Sequence, residues 1–380
     1  MGSVKYVLDI LPGYLNNTFA RWGWVSPSTP FNVTYSVTNL CQSKCRTCLI
    51  WKLYKDHPEK RQEELKLDEI ETMLKTMGRV FFFNISGGEP YLRKDFVEIV
   101  EFAVKYTKPG VVHIPTNGLA PDRVERQTRA ILELLEKRDY RGLVTIKPSL
   151  DGVGEQHDEI RGVRGNFDKV IETTRRLQAL KSRFPNLRVG LGTVISTANA
   201  SRVEEIGAFV RSLGVDSYIN EVAELREEMF NLDKPITPDA MTYSRVIEYF
   251  RENVRKELSS KRGFDKITQC FKLVYYDLAV RTLQEKKQLL PCLGGISNVH
   301  ISAYGDLWPC CILAGAKSMG NIRDFDCDFT RAWHSKNAIE ARRFIKAKNC
   351  HCTLENQAFS NILHHFPSLL RVFRYLFFSS

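Results

Sequence analysis

Three cysteines fall within eight residues, Cys41, Cys45 and Cys48, spaced C-x3-C-x2-C. Five more, Cys292, Cys310, Cys311, Cys350 and Cys352, crowd the last quarter of the chain, while Cys270 and Cys327 stand alone. The N-terminus lacks the basic-then-apolar layout of a secretory signal, so these ten thiols are expected to stay reduced. Clusters among them then point to metal rather than to disulfides. A closed zinc site needs four ligands, usually as two close pairs, and the next cysteine after Cys48 is more than two hundred residues away. A four-iron cluster held by three thiolates leaves one iron without a protein ligand, open to a chelating small molecule. Gly87-Gly88-Glu89-Pro90 adds two residues that allow close backbone approach and a carboxylate able to accept hydrogen bonds from an ammonium group.

The elements that must position these residues alternate. Between residues 31 and 224, β-branched and aromatic runs take turns with segments of helical period, the signature of βα units on a parallel sheet. Six strand candidates are Phe31 to Thr38, Val80 to Ser86, Val111 to Thr116, Leu143 to Leu150, Val189 to Ile195 and Val215 to Asn220. Ile70, Met73, Leu74 and Met77 form an apolar stripe that Gly78 stops, and Val203, Ile206, Phe209, Val210 and Leu213 repeat it before Gly214. Six units are two short of a closed eight-fold barrel. The expected fold is therefore α/β, a partial (β/α)6 TIM-type barrel with its functional loops at the C-terminal ends of the strands. The cysteine triplet follows the first strand and Gly87 follows the second, so both lie at that end.

This arrangement resembles the radical S-adenosylmethionine (AdoMet, or SAM) enzymes, whose hallmark is a C-x3-C-x2-C loop after strand one of a partial barrel, with a GGEP motif one unit later. The resemblance implies that Cys41, Cys45 and Cys48 ligate a [4Fe–4S] cluster. Its vacant iron would chelate AdoMet, and an electron would split the sulfonium into methionine and a 5′-deoxyadenosyl radical that takes a hydrogen atom from the substrate. It further implies that Gly87, Gly88, Glu89 and Pro90 meet the AdoMet amino group, and that Asn117, in Thr116-Asn117-Gly118, lies near the ligand. Lys147 and Ser149 end strand four in a KPSLDG run resembling that of the subgroup with auxiliary clusters, where the serine commonly binds AdoMet. Arg161 matches a position where a guanidinium faces the AdoMet carboxylate, suited by its bidentate geometry. An electron donor such as flavodoxin or ferredoxin is implied as a partner.

Cys292 is followed after twelve residues by Gly305 and after four more by Cys310, with a hairpin turn expected over Tyr304 to Trp308 that brings the two thiols together across a small sheet. The run resembles the opening of the SPASM and shorter Twitch modules, which hold auxiliary clusters. The full SPASM pattern carries three more cysteines, including a CxxC; this chain ends in Cys350-His351-Cys352. The resemblance thus implies one auxiliary [4Fe–4S] cluster on Cys292, Cys310, Cys350 and Cys352, with Cys311 and Cys327 as alternates. Zinc on the same four thiols is the competing occupant.

Five segments are expected: an amphipathic stretch over 1–30, the partial barrel over 31–224, a charged helical connector over 225–290, a small α+β Twitch/SPASM-like domain over 291–357, and an apolar, basic tail over 358–380. Fifty-five basic against 44 acidic side chains give +11, which favours anionic partners without choosing among them. With no apolar run of about 18 residues, the expected location is cytoplasmic. The tails either close the barrel or lie on a membrane surface. The main expectation for the substrate is a lipid, isoprenoid or other natural-product precursor, with peptide- and sugar-modifying chemistry as alternatives. Peptide maturation is weighed down because about 30 residues precede strand one, too few for a leader-binding domain there. No nucleic-acid partner is expected, since a zinc-ribbon nucleic-acid binder would leave the triplet and GGEP unexplained. Whether the net reaction is oxidative or redox-neutral stays open, as does an acid–base or substrate-holding use of Glu221, Glu224, Arg226 and Glu227 after strand six.

Overall fold

The computed structural model describes residues 2–378; Met1, Ser379 and Ser380, the outer ends of the two terminal segments, lie outside the described residues. Six parallel strands carry the expected barrel units: β1 Asn32–Ser36, β2 Phe82–Ser86, β3 Val111–Thr116, β4 Leu143–Pro148, β5 Leu187–Ile195 and β6 Ser217–Val222. They neighbour one another in chain order, as successive βα units must when each crossover packs the same way. The helix Leu67–Met77 buries Ile70, Met73, Leu74 and Met77, and Glu69 caps it by accepting from the Lys66 amide at 2.7 Å. Val203–Ser212 likewise buries Val203, Ile206 and Val210.

The cluster domain is not a separate sheet. Its strands β7 (Asn298–Ile301) and β8 (Leu307–Trp308) form an antiparallel hairpin, and β7 pairs in parallel with β1, continuing one eight-stranded sheet in the order β6-β5-β4-β3-β2-β1-β7-β8. The reason is the open edge of a partial barrel: β1 would otherwise show unpaired backbone groups, and all four residues of β7 are buried against it. The hairpin turn spans Ser302 to Asp306 rather than Tyr304 to Trp308, with the Ser302 hydroxyl donating to Asp306 Oδ2 at 2.8 Å.

The connector also differs from expectation. Its two long helices, Ala240–Leu258 and Gly263–Glu285, carry their exposed charges on one face, while Lys272 is buried. Their other faces, including Tyr243, Ile247, Phe250, Leu273 and Val274, join Ile195 of β5 and Val222 of β6 in a second hydrophobic core. The last helices, Glu355–Leu363 and Phe366–Phe378, add Ile362 and Val372 to the same core. The connector is thus a helical layer, charged on its solvated side, that covers the sheet beyond β6.

Candidate active site and metal centres

The chain leaves β1 into the cysteine loop, and backbone hydrogen bonds clamp that loop to three other segments. Gly88 N donates to Thr38 O at 2.7 Å and Glu89 N to Leu40 O at 2.8 Å. Lys44 N donates to Arg161 O at 2.9 Å, and Leu49 N to Met229 O at 2.8 Å. Glu64 anchors the start of the loop, accepting from the Thr38 hydroxyl at 2.6 Å and the Asn39 amide at 2.9 Å. Asn231 holds its far end, donating to Thr47 O at 2.7 Å. Arg93, three residues past Pro90, buries its guanidinium between Val37 O, Leu65 O and Asp95. Sequence reasoning missed Glu64, Arg93 and Asn231, because an anchoring residue far along the chain leaves no spacing signal.

All three thiols are free and lie close enough to repel one another when ionised. Burial, chiefly, pushes Cys48 up to about 12 and Cys41 upward as well, so a bound metal is what would hold them as thiolates. Their remaining neighbours are polar. Arg161 Nη1 points at Cys45 Sγ at 3.4 Å, the Ser43 hydroxyl stands 3.2 Å from the same sulfur, and Asn117 Nδ2 is 3.6 Å from Cys41 Sγ. Three sulfurs with no fourth among them fit a cluster that keeps one iron for another ligand.

The structure brings the Gly87–Pro90 run and Asn117 to this loop. The two glycines admit the chain's own backbone: Gly87 has φ +130, and a side-chain carbon there would stand 2.2 Å from Thr38 O, while one on Gly88 would stand 2.5 Å from Leu40 O. Glu89 is fully buried and held by three protein donors: the Thr116 hydroxyl at 2.9 Å, the Asn117 amide at 2.7 Å and the Tyr91 amide at 3.4 Å. Burial pushes it up to about 7 against those donors. It ties the ends of β2 and β3 together. Arg161 is engaged with Asp151 at 2.8 Å as well as with Cys45. Asp151 is fixed in turn by the Val194 amide at 2.8 Å. Ser149 bridges to Gly192 at the end of β4. Lys147 points elsewhere, into a buried group with Glu355, Lys272 and Glu221, where burial lowers it to about 8.

Cys292, Cys310, Cys350 and Cys352 line one cavity of about 60 Å³. The Gly294 amide donates to Cys292 Sγ at 3.4 Å, and burial raises all four thiols. Glu224 accepts from both the Thr353 amide and hydroxyl at 2.5 Å, and Glu221 from the Glu355 amide at 2.9 Å. These two half-buried carboxylates therefore anchor the last cysteine pair to the end of β6, while Glu221, with Arg226 and Glu227 of the same cluster, also lines the large cavity described below. Four thiols facing one small space suit a fully protein-ligated cluster or a tetrahedral ion. Neither alternate joins them. Cys311 turns to a second cavity, and Cys327 is buried near Glu69 and Arg323 in the main core.

That second cavity, about 400 Å³, reaches from the first cysteine loop to the cluster domain, with Cys48, Cys310 and Cys311 all in its lining. Ser36, Ser86 and His300, near the C-terminal ends of β1, β2 and β7, contribute to its lining.

Residues 35–210 match the family model of the radical SAM superfamily, and residues 292–353 match that of the SPASM iron–sulfur cluster-binding domain. The chain belongs to the radical SAM superfamily. Among curated relatives, it is 24% identical over 299 residues to the antilisterial bacteriocin subtilosin biosynthesis protein AlbA of Bacillus subtilis, covering 77% of this chain and 57% of that protein. It is 30% identical over 188 residues to the mycofactocin maturase MftC of Mycolicibacterium smegmatis, covering 49% and 43%. The AdoMet-dependent heme synthase of Methanosarcina barkeri is 26% identical over 273 residues, covering 68% and 70%. The chain thus spans about half the length of the first two. Among solved structures, native anSMEcpe with bound AdoMet and Kp18Cys peptide gives a TM-score of 0.56 at 18% identity over 83% of each chain. Streptococcus suis SuiB bound to the precursor peptide SuiA gives 0.56 at 16% identity, over 83% of this chain and 67% of that one. At these identities the likeness concerns the fold. Radical SAM membership implies a [4Fe–4S] cluster and AdoMet, and the SPASM domain implies auxiliary iron–sulfur ligation; the two thiol groups described above fit those roles. No helix among the described residues is long and apolar enough to cross a membrane.

Proposed function

We propose that this chain is a radical SAM maturase acting on a peptide, with Cys41, Cys45 and Cys48 holding the AdoMet-cleaving cluster and Cys292, Cys310, Cys350 and Cys352 one auxiliary [4Fe–4S] cluster. The observation that carries the reading is the 400 Å³ cavity bounded by both cysteine groups, which would place a substrate between two metal centres. The names of the bacteriocin and mycofactocin relatives favour a peptide over the lipid or isoprenoid expected from the apolar tails, and nothing in the relatives supports the lipid. When bound, the cluster and AdoMet supply reductive cleavage of the sulfonium and hydrogen-atom abstraction from the substrate.

The chain's own residues prepare that event by position. Gly87 and Gly88 let the second unit press against the loop, and Pro90 turns the chain away behind them. Glu89 fixes the Thr116–Gly118 turn so that Asn117 stands beside Cys41, and Arg161 holds Cys45. Ser149 lies just past the end of β4. Lys147, in the field of Glu221 and Glu355, fits the substrate side of the barrel better than the AdoMet side. The test is anaerobic incubation of the reconstituted protein with AdoMet, a reductant such as reduced flavodoxin, and candidate peptides, with lipids in parallel. Peptides should accelerate release of 5′-deoxyadenosine and change in mass; acceleration by lipids alone would refute the substrate class.

A second reading concerns the terminal helices, and a separate observation favours it. Tyr14 stacks on His364 at 4.7 Å, and Arg21 donates to His364 O, so the N-terminal helix Gly2–Trp22 meets the start of Phe366–Phe378. Each helix leaves an apolar stripe in solvent, Leu11, Leu15, Phe19 and Trp22 on one and Phe366, Leu370, Phe373 and Phe377 on the other. With Arg21, Arg371 and Arg374 among them, these faces suit an anionic lipid surface.

A further inference from the structure

We propose that Glu228, His300 and Cys311 form a third metal site, separate from both cysteine groups, which holds a single zinc ion on the wall of the 400 Å³ cavity. Their ligand atoms all lie within 4.8 Å of one another. His300 carries the argument. It sits on β7 and is 95% buried, since only 5% of its surface is exposed. Its Nε2 pairs with the Ser36 hydroxyl at 2.9 Å, and Trp308 packs edge-on against its ring at 5.3 Å. Its other nitrogen, Nδ1, has no hydrogen-bond partner and faces Glu228 Oε2 at 3.5 Å. A buried imidazole with one nitrogen oriented by a hydroxyl and the other bare is the arrangement that metal-bound histidines adopt.

Cys311 supplies the sulfur. Although it follows Cys310 directly, it lines the large cavity and not the small one shared by the four auxiliary thiols. Cys310 borders both cavities, whereas Cys311 borders the large one alone. One sulfur, one nitrogen and one carboxylate oxygen make a borderline-soft set of three, the number a zinc site uses when it keeps a fourth position for another ligand. Arg226 is the charged neighbour to reconcile. Its Nη1 lies 3.8 Å from Glu228 Oε1, and it also interacts with Cys311. A carboxylate and a thiolate balance a divalent ion, and Glu221 and Glu224 act on Arg226 beside Glu228, so the guanidinium is compensated. The open position is left for one further donor, water or a group of the substrate.

The experiment uses the full chain with both clusters reconstituted, dialysed anaerobically against a weak chelator after exposure to stoichiometric zinc. About one zinc per chain should remain, and X-ray absorption at the zinc edge should show one sulfur at about 2.3 Å with the other ligands nitrogen and oxygen. Cys311→Ser and His300→Gln should each lower zinc at least fivefold while iron and sulfide stay at the unsubstituted level. Absence of retained zinc, an all-sulfur coordination, zinc kept by both variants, or loss of about four irons in Cys311→Ser would each overturn the proposal. None of these readouts depends on AdoMet cleavage, so failure here and failure of the proposed activity are distinguishable.

Discussion

The two cysteine groups are built in opposite ways. The first takes three thiols from one short loop whose backbone is bonded to the ends of neighbouring barrel units, and polar side chains rather than a fourth sulfur complete its surroundings. The second gathers four thiols from separate stretches, around 292, 310 and 350–352, and its last pair is held to β6 by Glu221 and Glu224. A local triplet with polar neighbours leaves coordination to spare; four converging thiols close it. The first architecture suits a centre that must bind a reactant, and the second one that stays fully ligated by protein.

The contrast breaks most sharply if the second group is removed. Cys310→Ala with Cys352→Ala should cost about four irons per chain and abolish peptide modification, while 5′-deoxyadenosine is still released without coupling to product. Iron and sulfide analysis beside the deoxyadenosine assay reads both. Loss of the nucleoside as well would mean that the two centres are not separable.

Next in size is the ionic support of the first loop. Asp151→Asn leaves the Arg161 guanidinium, 8% exposed, without its buried partner. The expected cost is ~3–5 kcal/mol in denaturant unfolding of the cluster-free chain. A cost below ~1 kcal/mol would show that Cys45 and its loop do not depend on this pair.

Glu89 gives a pH signature. Burial raises it from 4.5 to about 7, so between those values the folded chain keeps a proton that the unfolded chain releases. Its contribution to stability is complete below pH 4.5 and lost as pH rises through 7, by roughly 3 kcal/mol. Glu89→Gln cannot ionise and should flatten that part of the pH profile of unfolding; an unchanged slope contradicts the burial argument. Glu355 is also raised to about 7, so the difference between the two proteins, not the slope of either, isolates Glu89.

Glu224→Gln tests the second group's anchor. It weakens the acceptor that holds the Thr353 amide and hydroxyl and should cost ~1–3 kcal/mol, with the auxiliary irons released on chelator challenge before the first cluster's. The smallest effect is expected at the termini. Deleting residues 366–380 should lower co-sedimentation with anionic liposomes while AdoMet cleavage persists, and undiminished sedimentation would dismiss the lipid surface.

How much of this was legible in the sequence follows from the same contrast. The triplet, Gly87–Pro90 and the Thr116–Gly118 turn lie at strand ends, so counting βα units is enough to bring them together. The four auxiliary thiols were reachable by resemblance. Their place in the sheet was not, because β7 is four residues long and reaches β1 across more than two hundred intervening positions. The connector misled for a different reason: charges on the solvated face of 240–258 hid the buried run Tyr243, Val246, Ile247 and Phe250. Glu228 and His300 gave no signal at all, since a carboxylate in a loop and a histidine in a short strand become neighbours only once β7 pairs with β1.

The central claim is that the thiols of Cys41, Cys45 and Cys48 leave a coordination place for AdoMet. The direct measurement is 5′-deoxyadenosine release, under anaerobic reducing conditions, by the chain with all three replaced by alanine. Release at the background of reductant alone, with the auxiliary irons still bound, is the predicted result. Release at the unsubstituted rate would contradict the account.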